Sequence, residues 1–307
     1  MSDGMLLVPA AATGGCIAVG NFDGVHLGHA SMLRELKAMA SASRVKAIAV
    51  TFDPHPIAVL RPEFTPPILT TLKERSALLK ACGADDVVVL PVTSTLLQMS
   101  PVEFFEEIVL NRFLAAGIVE GPNFHFGRDR LGNANVLQDL CRQHGLRCRI
   151  VTAVDSGTAM ISSSRIRELL CSRALRHAVE LLGHPYRLTG IVTQGAGRGR
   201  TLGFPTANLT DVQTLLPAHG VYCGQAQIDG HVYPVATSIG PNPTFGEHRE
   251  KIECHIDGFA GDLYGQDLSV DLLQELRPLQ SFESVDKLFQ QIQMDVQTCR
   301  QIVAASQ

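Results

Sequence analysis

The first half of the chain alternates two textures, and that alternation is what most narrows its fold. "CIAVG", "VKAIAV", "DDVVVL", "AAGIVEG" and "LRCRIVTAV" are short apolar runs that read as buried strands. Helical patterns lie between them. "SPVEFFEEIVLNRFL" opens with Ser100 as N-cap, Pro101 in the first turn and Glu103 three residues on, a capping box with a well-placed proline. "TLKERSALLKACG" repeats the device with Thr71 and Glu74, and Gly83 closes it. Strands that alternate with helices form a parallel α/β sheet, and such sheets take their ligands at the carboxyl ends of the strands.

The texture changes after about residue 184. "YRLTGIVT", "GVYCGQAQI", "HVYPVATSIG", "KIECHI" and "QDLSVDLLQEL" are strand-like runs separated by turn formers such as "IDGH" and "GPNP". They predict an antiparallel sheet or small barrel. Val285, Leu288, Phe289, Ile292, Val296 and Cys299 fall on one face at helical spacing and predict a closing helix. The expected division is therefore 1–184 and 185–307, at the Gly183/Pro185 break, and 307 residues suffice for two cores.

Composition excludes several classes. A net charge of −4 gives no basic field for nucleic acid or membrane surfaces, so neither is an expected partner. No run approaches the ~20 apolar residues of a membrane span. The first residues carry no Lys or Arg ahead of their apolar part, so no signal peptide is expected. The eight cysteines show no metal-like spacing and read as thiols of a reducing cytoplasm. The oligomeric state is left open.

"GNFDGVHLGH", Gly20 to His29, follows the first strand and leads into a helix. Zinc would need further ligands, and no third His, Cys or carboxylate has a spacing that signals one. The histidines can also serve as polar turn and cap residues. Phosphate has the better physics. Glycines bring backbone close to a ligand, the helix start offers free N–H groups, and imidazoles can donate to phosphate oxygens. Asn21, Asp23 and Gly28 are then expected among the phosphate contacts.

Three further segments occur in order. "TFDPHP" is a stiff proline loop at the end of a strand. In "GPNFHFGRDRLG", Phe124 and Phe126 can flank a flat ring or sit in the core. "ISSSRIRELL" opens a helix with hydroxyls (Ser162, Ser163) and with Arg165 and Arg167, either solvated or neutralising a triphosphate. Together with H-x-G-H these segments resemble the FMN adenylyltransferase module of the bacterial bifunctional riboflavin kinase/FAD synthetase family. The resemblance implies a Rossmann-like nucleotidylyltransferase domain. In it His26 and His29 stabilise the attacked phosphorus, Ser162–Arg167 hold the triphosphate, and Phe124 and Phe126 contact flavin. The chain departs from the family at Asn123, where an aspartate is usual, at Glu120, where an apolar residue is common, and at Thr158, where some members carry arginine.

"GAGRGRTLGFPTANL" has glycines spaced to wrap phosphates, with Gly197, Arg198 and Gly203 as candidate ATP contacts, but no G-K-[ST] follows. Thr206 and Asn208 are two apart in an extended segment, face one side and offer oxygen ligands suited to magnesium. In "KIECHI" Glu253 stands on an alternating strand, free to face solvent or a site. With "HGVYCG", "SIGPNPTFGE" and "LYGQDLSVDLLQELRPLQSF", these segments resemble the family's riboflavin kinase module, a six-stranded barrel. There the resemblance makes Glu253 the general base and gives the magnesium to Thr206 and Asn208. Arg277 is either a substrate contact or an exposed strand-end arginine. "SIGPNPT" has Asn242 where family members often carry arginine. The whole chain is thus expected to make FMN from riboflavin and ATP, and then FAD from FMN and ATP, with flavins as substrates and products.

Overall fold

The computed structural model describes residues 9, 12–152, 160–195, 203–241 and 249–306. The chain divides into two compact units, residues 1–162 and 163–307.

The first unit is a parallel sheet of β1 (Cys16–Val19), β2 (Ala47–Asp53), β3 (Asp86–Pro91), β4 (Gly117–Glu120) and β7 (Arg147–Ile150), in the order β3-β2-β1-β4-β7. A two-stranded flap, β5 (His125–Phe126) with β6 (Gly132–Asn133), follows β4. The helices are α1 (Leu27–Ser43), α2 (Pro56–Leu60), α3 (Leu72–Ala81), α4 (Ser94–Gln98), α5 (Pro101–Phe104) and α6 (Ala134–Gln143). Both expected capping boxes form: Ser100 with Glu103 and Thr71 with Glu74 each exchange side-chain and backbone hydrogen bonds. The Ser100 helix continues past Phe104 as a π-helix, Phe105–Arg112.

Alternate residues of the strands feed two cores. Ile17 and Val19 join Leu96, Phe105, Ile108 and Leu137 on one face. Cys16 and Ala18 join Leu33, Leu36 and Leu79 on the other. Helices thus cover both faces. The strand order reverses between β1 and β4, the place where an open α/β sheet forms its ligand crevice.

The second unit opens with α7 (Ser163–Cys171) and α8 (Leu175–Leu182). Six antiparallel strands follow: β8 (Tyr186–Thr193), β9 (Ala207–Thr210), β10 (Gly220–Ile228), β11 (His231–Gly240), β12 (Lys251–Ile256) and β13 (Asp267–Arg277). They close into a barrel in the order β10-β11-β12-β9-β8-β13. α9 (Val285–Ala305) lies against it, with Cys299 and Val303 packed on Cys223. Val285, expected on the apolar face, is exposed, because it is the first helical residue and lies beyond the part that meets the barrel.

The compact units part after Ser162, earlier than the 184/185 division read from the sequence. The reason is packing: α8 lies on β13 and β8, and the Ala218 N–H donates to the Leu170 carbonyl at the end of α7. The helical pair therefore groups with the barrel.

Candidate active sites

In the first unit the turn after β1 is held under backbone strain. Phe22 (φ 49°), Gly24 (φ 80°) and Val25 (φ 37°) all lie in the left-handed region, which is costly for a β-branched residue. Asp23 maintains it. Its buried carboxylate accepts the Leu69 N–H at 3.0 Å, the Thr70 N–H at 3.1 Å and the Thr70 hydroxyl at 3.2 Å, with the Arg75 guanidinium at 3.5 Å. The Thr70 hydroxyl in turn accepts the Gly24 N–H at 3.1 Å. Asp23, expected among the phosphate contacts, here has its oxygens anchoring the turn.

That anchored turn delivers the histidines. His26 caps α1, and its Nδ1 accepts the His29 N–H at 3.4 Å. A neutral imidazole accepting at Nδ1 carries its proton on Nε2, where it can donate. The two rings stack, with centroids 3.7 Å apart and planes 15° apart. A side chain at Gly28 would place its first carbon 3.1 Å from the His26 ring, so glycine leaves the ring its space. Burial holds the His29 imidazole well below its ordinary range, and the neighbouring His26 and Arg75 add to this. His29 is thus neutral at neutral pH. Its Nδ1 is buried with no hydrogen-bond partner among the described residues.

Asn21 completes the turn. The Thr51 hydroxyl at the end of β2 donates to its carbonyl at 3.1 Å, and its side-chain amide lies 3.0 Å from His55 Nε2. His55 Nδ1 accepts the Ile57 N–H at 3.1 Å. Its Nε2 therefore bears the proton and donates, which assigns the Asn21 amide oxygen to this contact. The amide NH2 is then the buried group left over, a donor suited to an anion.

The two expected flavin contacts, Phe124 and Phe126, differ in burial. Phe126 is 5% exposed in the core, packed on Phe104. It is buried because Gly127 (φ 72°) presses the flap onto Pro101, leaving no room for a Cβ. Phe124 is half-buried and stacks on Phe126 at 5.2 Å and 17°. Asn123 donates to the Met160 sulfur at 3.0 Å. Ser162 ends the first unit; Ser163, Arg165 and Arg167 lie on α7, and Arg165 pairs with Glu168 at 3.0 Å.

In the second unit, pairing of β9 with β12 sets Asn208 directly opposite Glu253. Directly opposed residues project from the same face with Cβ atoms about 4.5–5.5 Å apart. Ile252, Cys254 and Ile256 point into the core, so the half-buried Glu253 points away from it. His255 fixes the approach: its Nδ1 is 2.9 Å from the Pro205 carbonyl, and its ring meets Phe204 edge-on, with Phe289 of α9 behind. Thr206 and Asn208 are both half-buried. A Cβ at Gly195 would fall 2.2 Å from the Asn208 amide nitrogen, so the glycine keeps a cradle open for that side chain. The Thr206 hydroxyl and the Asn208 amide oxygen are hard donors that fit magnesium. Among the described residues no group of three or more His, Cys, Asp or Glu could hold a metal. Gly203 (φ 79°) is exposed at the mouth of the segment. Gly197, Arg198, Thr158 and Asn242 lie outside the described residues.

Arg277, read from the sequence as a substrate contact or an exposed strand-end arginine, is part-buried against α9. Its guanidinium grips the buried carboxylate of Asp295 on α9 through Nε at 3.0 Å and Nη2 at 2.8 Å, and Phe282 covers it at 5.6 Å. The sequence reading missed Thr70, Arg75 and His55 as supports of the first site. Their partners lie 34 to 52 residues away, and no local pattern signals them.

The comparisons with known proteins match the two parts of the chain to two families. A family described as FAD synthetase matches residues 8–165, and one described as riboflavin kinase matches residues 182–303. A Pseudomonas fluorescens protein named bifunctional riboflavin kinase/FMN adenylyltransferase is 35% identical, over 95% of this chain and 94% of its own. An Escherichia coli K12 protein of the same name is 32% identical, over 94% and 92%. A Streptococcus pneumoniae structure titled as a macrolide-efflux protein overlays with a TM-score of 0.85 at 30% identity, covering 96% of each chain. Among the described residues no helix is long and apolar enough to cross a membrane.

Proposed function

Since this chain belongs to the bifunctional riboflavin kinase/FMN adenylyltransferase family, we propose how its two activities divide between its residues. The protein phosphorylates riboflavin to FMN and adenylates FMN to FAD.

In FMN formation Glu253 is the general base. It takes the proton of the ribityl hydroxyl as that oxygen attacks the γ-phosphorus of ATP, and ADP leaves. A hydroxyl is a poor nucleophile, so a carboxylate in reach is a sensible requirement. The observation that supports this is the Glu253–Asn208 pairing on one face of the barrel. Thr206 and Asn208 hold magnesium brought with ATP, which when bound neutralises phosphate charge. Gly197, Arg198 and Gly203 belong to the nucleotide loop on the strength of the resemblance.

In FAD formation the nucleophile is the FMN phosphate, already anionic, and no base is needed. It attacks the α-phosphorus of ATP and pyrophosphate leaves. What the site must supply is donors for the charge that develops. The neutral His29, the Nε2–H of His26 and the Asn21 NH2 are such donors, held on a strained and anchored turn. The Ser162–Arg167 segment supplies hydroxyls and guanidinium groups for the triphosphate by its resemblance to the family's segment. Phe124 offers the ring face for flavin.

Glu253→Gln tests the division. It is expected to abolish FMN formation from riboflavin while leaving FAD formation from supplied FMN within about twofold, because it keeps shape and removes the base. Loss of both activities in a folded protein would overturn the division.

A further inference from the structure

Glu120 ends β4 with a side chain that is 2% exposed, an acid deep in a sheet that is otherwise apolar there. The β1–β4 pairing runs only through Cys16↔Gly117 and Ile17↔Ile118. Beyond it the Glu120 carboxyl does the joining. Its Oε1 accepts the Val19 N–H at 2.6 Å. Its own carbonyl accepts the Val151 N–H at 2.8 Å from beyond β7. The side chain therefore stands in the gap where the sheet order reverses. On one side of that gap Val19 leads into the Gly20–His29 turn; on the other, Glu120 leads into the flap that carries Phe124. Elsewhere in the described residues, buried acids have cations against them: Asp23 has Arg75 and Asp295 has Arg277. Glu120 has none.

We propose that Glu120 is a positioning residue for adenylyl transfer: by accepting the Val19 N–H across the β1–β4 gap it sets the spacing between the histidine turn and the flap. The inference rests on the division of activities given above. An apolar residue at this place would leave the Val19 N–H to find another partner or go unpaired, and would let the two segments settle at a different separation. Either form of the carboxyl can accept the Val19 N–H, but the uncharged form suits a strand that leads into a phosphate-binding turn, since an anion there would oppose both substrates. Burial favours the uncharged form, raising the carboxyl well above the usual carboxylate range; the Cys148 thiol, facing it from β7, adds to the rise, while the backbone N–H groups of Val19 and Gly121 oppose it. Cys148 is in turn hydrogen-bonded to Cys141 of α6. Among the described residues Cys148 is the titratable side chain whose charge bears on Glu120.

The test uses the whole protein and reads both activities. Glu120→Gln keeps an uncharged acceptor and is expected to retain FAD formation within about twofold. Glu120→Leu removes the acceptor and is expected to lower the kcat of FAD formation about tenfold or more, with KM for ATP little changed. Riboflavin phosphorylation, which runs in the other module, stays at the wild-type rate in both, and a thermal melt of each variant reports folding of the first unit. An unaffected Leu variant overturns the proposal, as does a Gln variant as damaged as the Leu one. A pH profile of FAD formation, run in a Cys148→Ser background, serves if the Leu variant does not fold. With Glu120 the rate falls on the alkaline side, and with Gln that limb is absent; coincident profiles overturn the proposal. A wild-type protein that makes FMN but no FAD would refute the underlying division instead.

Discussion

Replacing Arg277 with methionine separates an anchor from a ligand. In the structure Arg277 at the end of β13 pairs with Asp295 on α9, the two side chains being only 16% and 7% exposed. Asp295 also accepts from Gln291 at 2.9 Å. Methionine fills much of the volume but leaves a buried carboxylate without its cation. Breaking a buried pair on one side costs about 3–5 kcal/mol. A unit of about this size loses roughly 2–4 °C per kcal/mol, so the expected drop in its melting temperature is about 6–20 °C. The pair sits where the last strand hands over to the helix that covers the barrel, so the loss falls on the kinase module. Differential scanning calorimetry, with residual kinase activity followed after each heating step, measures it. Arg277→Met with Asp295→Leu removes both charges and should recover most of the loss, because a well-packed apolar replacement of a buried pair is often neutral. The KM for riboflavin below the melting point should stay near wild type. The reasoning fails if Arg277→Met leaves the melting temperature unchanged and raises that KM tenfold or more, since the arginine would then be holding flavin.

Two further predictions concern the histidine turn. Asp23→Ala removes the acceptor of the Leu69 and Thr70 N–H groups; FAD formation should fall at least about tenfold while kinase activity is unchanged, and equal loss of both would show general unfolding instead. His29 is held neutral in the folded protein, so the unfolded chain binds more protons as pH falls below about 6.5. Stability contributed by this site is thus complete above pH 6.5 and is lost as pH falls towards the folded value. His29→Gln should flatten the dependence of melting temperature on pH between 7 and 5, and parallel curves for the two proteins would contradict the assignment.

What the sequence made legible was local or periodic. Capping boxes at Ser100 and Thr71 lie within four residues, and the buried strands announce themselves as apolar runs. The Thr206/Asn208 and Glu253 reading needed only alternation within each strand, and the barrel then paired the two strands in the register that brings Asn208 and Glu253 face to face. What stayed illegible was any placement set by a distant partner. Asp23 stands inside a ligand-binding pattern, yet its carboxylate is claimed by residues 46 and 47 positions away. Phe126 is drawn into the core by a flap whose position depends on Gly127 meeting Pro101. Arg277 looks like a strand-end arginine until α9 folds back and presents Asp295. Glu120 was visible only as a departure from the family, because the meaning of an acid there depends on a gap between two strands.

The most direct test of the account is complementation between two damaged copies. Glu253→Gln and His29→Ala proteins are each incubated with riboflavin, ATP and magnesium, and then mixed, with the flavins separated by chromatography. The Glu253→Gln protein alone should leave riboflavin untouched, and the His29→Ala protein alone should stop at FMN. The mixture should accumulate FAD, the second protein supplying FMN to the first. If the mixture makes no FAD while both proteins remain folded, the two residues do not serve separate sites and the central claim is wrong.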